Sequence, residues 1–290
     1  MRKQKISLKT LYFMTLIIFT SCKAQTLHEI EKANNVKIGA YAIDTNNKNI
    51  FAYRQNEKFA FQSTFKLLVT AYALKSLGID DKIKITNQDI VFWSPIVRLQ
   101  LKQGYMSTKE LAKAAMMYSD NAATNILINR LGGINSINNF ARSIGNKSFY
   151  LANMETNLNS NPSNINDTAT PKDMAQSVYN LLIKQHILTK NQQKILKTWM
   201  LTNTTGYNRM RSGLPLAGWS IAEKTGGSST VSNDIGIIWS PACKPIVLAI
   251  YTLSEKKNNP KQDLSIKQST QTILAELAKQ NNCFAATKLR

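Results

Sequence analysis

Apolar positions alternate with β-type spacing along Val36 to Asp44 and again around Ile50 to Tyr53, with the turn-rich Thr45-Asn46-Asn47-Lys48-Asn49 between them. This pattern predicts a hairpin, and a short helical pattern beginning at residue 25 precedes it. From Thr64 to about Leu77 the apolar residues Phe65, Leu68, Val69, Tyr72 and Ala73 recur on nearly every face of a helix, which predicts a helix buried in a core. Helical signals then dominate to about residue 202. Among them, Thr170 stands where it can cap a helix, and Pro171 takes that helix's first position ahead of Met174, Val178 and Leu181. Turn residues between Gly206 and Gly218 lead into three strand-like runs, Trp219 to Thr225, Asp234 to Ser240 and Pro245 to Leu253. A closing helix carries Ile266, Ile273, Leu274 and Leu277 on one stripe.

The predicted fold is α/β (α+β) with two subdomains. Residues 25–53 and 203–290 share one antiparallel sheet flanked by the N- and C-terminal helices, residues 54–202 form an inserted all-helical subdomain, and the active site lies between them. Residues 1–24 read as an export signal: basic Arg2, Lys3 and Lys5, an apolar run from Leu11 to Phe19, then small residues. Cleavage after Ala24 and lipid attachment at Cys22 both fit, because Phe19-Thr20-Ser21-Cys22 resembles a relaxed lipoprotein box. Either route delivers the chain to an oxidising compartment, where Cys243 and Cys283 are candidates to pair, closing a loop of about 40 residues.

The formal charge of +20 invites a nucleic-acid reading. Five of the basic residues fall within the first 24 positions, so the rest of the chain carries +15, and its lysines are scattered without a zinc-finger or stacking-aromatic signature. A solvated basic surface is the better reading, and no nucleic-acid partner is expected. Only two histidines occur, His28 near the N-terminus and His186 at an expected surface position. A Ser-His-Asp triad or a histidine-rich zinc site has almost nothing to work with, so a hydrolytic base has to be a lysine or a carboxylate. No metal or cofactor is implied.

Ser63-Thr64-Phe65-Lys66 puts a hydroxyl and an amine at i and i+3 of a helix start, where free N–H groups favour developing negative charge. The spacing alone is weak, since Ser254-Glu255-Lys256-Lys257 repeats it in a polar loop, and a helix-capping serine is the simpler alternative. Three further motifs reverse that balance. Ser119-Asp120-Asn121 offers a hydroxyl and an amide in one turn. Lys224-Thr225-Gly226 ends an apolar strand, with Gly226 and Gly227 permitting close backbone approach by a ligand. Glu155-Thr156-Asn157-Leu158-Asn159 supplies a carboxylate and an amide able to hold one water between them.

In this order the four elements resemble the serine β-lactamase and penicillin-binding family, and Glu155 with Asn159 resembles class A β-lactamases in particular. The similarity runs from about residue 28 to residue 280 and includes Asn203-Thr204-Thr205-Gly206 and Asn233-Asp234-Ile235-Gly236. It implies a monomeric hydrolase exported to the periplasm or outer surface of a bacterial envelope, acting on small β-lactams and meeting a membrane only through a lipidated Cys22. It implies Ser63 as nucleophile, Lys66 in its activating network and Ser119 as proton shuttle. Asn121 would bind the substrate's side-chain amide, and Lys224 with Thr225 its carboxylate. The N–H groups of Ser63 and Gly227 would form the oxyanion hole, and Glu155 with Asn159 would activate water. Trp93 matches an aromatic at the cleft mouth, against a core tryptophan as the alternative, and Arg209 matches an arginine reinforcing carboxylate binding.

The competing readings are a D-Ala-D-Ala transpeptidase or carboxypeptidase that holds its acyl-enzyme against water, and a non-catalytic β-lactam receptor. The loop carrying Glu155 departs from the family pattern. Asn153 stands where an arginine is expected to pair with Asp167, and the loop is about one residue short. A mobile loop able to admit bulky cephalosporins is the expectation.

Overall fold

The computed structural model describes residues 25–281 apart from 160, 162, 163, 185, 216 and 217. In chain order its first elements are α1 (Leu27–Asn34), β1 (Lys37–Asp44), β2 (Ile50–Tyr53), β3 (Phe59–Ala60), α2 (Lys66–Ser76), β4 (Lys82–Lys84), α3 (Val97–Gln100), β5 (Tyr105–Ser107) and α4 (Thr108–Met117). There follow α5 (Asn121–Arg130), α6 (Ile134–Ser143), β6 (Thr168–Ala169), α7 (Pro171–Leu182), α8 (Lys190–Leu201), β7 (Ser220–Gly227), β8 (Val231–Trp239), β9 (Ile246–Leu253) and α9 (Gln262–Ala278).

Five strands form an antiparallel sheet in the order β2-β1-β9-β8-β7, which leaves β7 at an edge. Alternation along β9 shows why its sequence is apolar throughout. Ile246, Leu248 and Ile250 face α1 and α9, joining Leu27, Ile30, Ile266, Ile273, Leu274 and Leu277 in one core. Val247, Ala249 and Tyr251 face the helices and join a second core with Leu67, Leu68 and Val69 of α2. Helix α2 is buried around its circumference, as its sequence predicted, and each such leucine contributes about 1.5–3 kcal/mol of apolar burial.

Helix starts follow their capping residues. Thr170 accepts from Asp173 N–H, with Pro171 at the first turn of α7, and Asp120 accepts from Ala123 N–H to start α5. The segment 54–202 is not purely helical: β3 pairs with β6, and β4 with β5. Strands of two or three residues are too short to leave a period in the sequence. Strand β7 runs two residues beyond Thr225, because Gly226 and Gly227 still pair with Asn233 and Ser232.

Cys243, in the turn before β9, is disulfide-bonded. Cys283, its expected partner, lies outside the described residues, as do Cys22 and the whole export segment. Among the described residues no helix is long and apolar enough to cross a membrane.

Candidate active site

The floor of the site is a turn pinned from several directions. A 3₁₀ turn, Gln62–Phe65, delivers Ser63 immediately before α2. Phe61 N–H donates to Asp167 O at 3.0 Å, and Asn233 Nδ2 donates to Ala60 O at 2.8 Å and Phe61 O at 3.1 Å. Thr64 Oγ1 donates to Phe61 O at 2.7 Å and lies 3.0 Å from the buried Tyr251 hydroxyl. Strand β7 presses against this turn. A Cβ added at Gly226 would lie 2.7 Å from Phe61 O and 3.0 Å from Ser63 N, so the glycine is required by the protein's own backbone. Ser228 N–H donates to Val231 O at 2.9 Å, so the alternation of antiparallel pairs turns Gly227 N–H away from β8, out of the sheet edge beside Ser63.

Two buried lysines meet at one hydroxyl. Lys66 Nζ donates to Ser119 O at 2.9 Å, to Asn121 Oδ1 in a very short contact, and to Glu155 Oε1 at 3.0 Å, with Ser119 Oγ at 3.4 Å. Lys224 Nζ donates to Ser119 Oγ at 3.2 Å and to Thr225 O at 2.8 Å. The Ser119 hydroxyl oxygen thus accepts from Lys224 and lies close to Lys66 as well. Burial pushes the Lys66 pKa below the ordinary lysine value, although Glu155 opposes the shift. Lys224 falls well below it through burial, then through repulsion from Lys66 and Arg209.

Glu155 reaches this cluster from the loop between α6 and β6. Its Oε1 accepts from Ser63 Oγ at 3.3 Å while pairing with Lys66. Asn125 on α5 clamps the Glu155 backbone on both sides: Oδ1 accepts from Glu155 N–H at 3.0 Å and Nδ2 donates to Glu155 O at 2.7 Å. The neck of the loop is closed by the buried Asp167 carboxylate. It accepts from Ala152 N–H (2.8 Å), Asn153 N–H (3.0 Å), Asn153 Nδ2 (2.7 Å) and Asn159 N–H (2.9 Å). The expected loss of the arginine–aspartate ion pair is real, but amide donors replace it, so the neck is not open.

The Asn159 side chain is engaged within its own loop. Its Nδ2 donates to the carbonyls of Asn161, Asn164 and Asn166, and its Oδ1 accepts from Asn161 N–H. A short, asparagine-rich loop has carbonyls to satisfy and few other donors to do it.

These groups line a cavity of about 350 Å³ bounded by Ser63, Ser119, Asn121, Glu155, Thr225 and Gly227, with Phe92, Trp93 and Arg209 at its rim. Trp93 is 54% exposed and donates through Nε1 to Tyr118 O at 3.0 Å, which places it at the mouth and excludes the core alternative. Arg209 is held by Asp263 (2.9 Å) and by the carbonyls of Gly226 (2.8 Å) and Asn233 (2.9 Å), so it is no free surface charge. Lys224 is fully buried behind Thr225, whose hydroxyl contacts that of Thr205. A larger groove of about 530 Å³ shares Arg209 but contains none of the serines and lysines of the cluster.

A family model described as the β-lactamase enzyme family matches residues 23–277. A β-lactamase of Bacillus amyloliquefaciens is 39% identical over 264 residues, 89% of this chain and 85% of that protein. The SME-1 β-lactamase of Serratia marcescens is 36% identical, with 87% of each chain covered. Among solved structures, a β-lactamase from Burkholderia phymatum superposes with a TM-score of 0.83 at 34% identity, covering 87% of this chain and 96% of that one. A class A β-lactamase from Clostridium kluyveri gives 0.82 at 32% identity, covering 87% and 97%. The chain belongs to the class A serine β-lactamases.

Within this β-lactamase framework, sequence reasoning missed Asn125, Gln62, Phe92 and Asp263. Each acts through a contact distant in sequence, and a lone asparagine or glutamine carries no motif. It also missed a buried pair beneath the cleft. Glu223 pairs with Arg211 at 2.8 Å and Asp234 accepts from Met210 N–H at 3.2 Å, while burial and mutual repulsion push the Asp234 carboxyl well up and burial raises Glu223.

Proposed function

We propose that this β-lactamase opens the lactam ring by attack of Ser63 and frees the product by water activated at Glu155. The observation that carries this reading is the single Glu155 oxygen placed 3.3 Å from Ser63 Oγ and 3.0 Å from Lys66 Nζ. One carboxylate can take the Ser63 proton directly or relay it to Lys66, and later take a proton from water on the same side. The tetrahedral oxygen sits between Ser63 N–H and Gly227 N–H. Ser119, oriented by both lysines, passes a proton to the departing lactam nitrogen. Thr225 and Arg209 hold the substrate carboxylate, with Lys224 contributing charge from behind. Asn121, whose Nδ2 also donates to Phe92 O at 2.9 Å, borders the side-chain pocket with Trp93.

The same reading includes an exported monomer, with cleavage after Ala24 or lipid attachment at Cys22, an α/β subdomain of residues 25–53 and 203–290 around the helical one, and a Cys243–Cys283 bond. The decisive experiment is steady-state hydrolysis of nitrocefin and benzylpenicillin by the mature protein, with Ser63→Ala alongside. Sustained turnover that Ser63→Ala abolishes, together with its covalent adduct, is expected. A burst that stops after one equivalent selects the transpeptidase or receptor reading instead.

A further inference from the structure

Gln62 immediately precedes the nucleophile, is 7% exposed and holds a left-handed φ of +46°. Non-glycine residues avoid that region unless surrounding contacts enforce it. The contact here is long-range: Gln62 Nε2 donates to Asn159 O at 2.8 Å, across 97 positions of sequence. Asn159 is the residue whose N–H is taken by the Asp167 carboxylate and whose side chain organises the loop carbonyls. Glu155 is fixed on its α5 side by Asn125, and the neck by Asp167. The stretch between them is tied to the nucleophile turn through Gln62.

We infer that Gln62 is a positioning residue for deacylation, a strut that sets the Glu155 loop at its working distance from Ser63. The inference rests on the reading in which Glu155 activates the hydrolytic water. The strut grips Asn159, four positions after Glu155, at its backbone carbonyl. The ester forms at Ser63, whose position depends on Gly226, Asn233 and Thr64 rather than on the strut. Loss of the strut therefore slows water attack while leaving acylation intact.

The test compares Gln62→Met, which keeps length and packing but loses the donor, with Gln62→Gly, which also relieves the left-handed backbone. Pre-steady-state kinetics with benzylpenicillin separate the two steps, and hydrogen exchange reports on the amides of residues 155–159. Both variants are expected to deacylate about fivefold to tenfold more slowly, the effect of one hydrogen bond, with acylation within about twofold and faster exchange in the loop. Unchanged deacylation, or acylation and deacylation falling together, overturns the inference. Should the parent protein itself fail to turn over, the Glu155 reading falls, and exchange still judges the strut: unprotected loop amides in Gln62→Met uphold it and unchanged amides sink it.

Discussion

The two sides of the cleft are built on different principles. On the lysine side, Lys66 and Lys224 are fully buried, and the nucleophile turn is gripped by a strand whose Gly226 leaves no room even for a methyl group. On the Glu155 side, residues 153–167 include six asparagines and are held by hydrogen bonds made with Asn125, the Asp167 carboxylate and Gln62. Close packing resists displacement in every direction, whereas a hydrogen bond fixes one distance and yields when its partner leaves. The first arrangement suits the step that forms the ester. The second makes deacylation the step most open to change by substitution.

The largest expected effect tests whether the two sides divide the chemistry in that way. In Glu155→Gln the hydrolytic water loses its base, and deacylation should fall by about 10²- to 10⁴-fold, leaving a stable penicilloyl adduct on Ser63 seen by mass spectrometry. The same variant separates the candidate acylation bases. Glu155, ahead of Asp120, holds the Lys66 pKa up against burial. Without that charge the pKa falls further, so the neutral amine persists to lower pH and the acid limb of acylation moves down in pH. A limb that stays in place, or acylation that collapses at every pH, removes Lys66 as the base.

A smaller effect is expected at the neck of the loop. Asp167→Ala strands four N–H donors at once, two of them on Asn153, and should cost roughly 2–4 kcal/mol as well as speeding proteolysis within residues 153–167. Restoring an arginine by Asn153→Arg in the parent sharpens the comparison, since it sets an ion pair against the amide it replaces. If Asp167→Ala melts with the parent and resists protease equally, the loop is held by packing after all and the contrast between the two sides fails.

That contrast also governs what could be read from sequence. The lysine side was legible because its chemistry is written in short motifs on strongly periodic elements: Ser63 with Lys66 on α2, Ser119 to Asn121 at a helix cap, and Lys224 to Gly226 on an edge strand. Family resemblance supplied the roles, and geometry places Ser63, Lys66, Ser119 and Glu155 within one hydrogen-bonded cluster. The Glu155 loop was legible only in part. Asn153 was correctly seen to lack the ion pair, but its amide bond to Asp167 could not be foreseen from an asparagine among asparagines. The bonds of the Asn159 side chain within the loop were illegible for the same reason, because which carbonyls an amide serves is set by the loop's path in space. The fold's main sheet and closing helix were readable from period alone, while β3, β4, β5 and β6 were too short to register.

The smallest effect lies beneath the lysine side, where the Glu223–Asp234 pair is buried next to the strand that carries Lys224. Both carboxyls are raised from 4.5 and 3.8, their ordinary values, by burial first, so the folded protein keeps a proton there that the unfolded chain releases. Between the ordinary carboxylate range and the raised value the folded state binds more protons than the unfolded one, and stability is therefore lost as pH rises through that window. Asp234→Asn supplies a permanent donor in place of the shared proton and removes the dependence. Thermal melts from about pH 5 to about pH 9 should show the variant gaining on the parent as pH rises, by up to about 1.4 kcal/mol per pH unit while one proton is at stake. The variant's acylation rate should change little, because Asp234 acts on Lys224 as a charge that raises its pKa, an influence smaller than burial, which comes first, and than the repulsion from Lys66 and Arg209, all of which lower it. Parallel melting profiles for parent and variant would mean that no proton is held between these carboxyls, and that the lysine side is balanced by Arg211 and Arg209 alone.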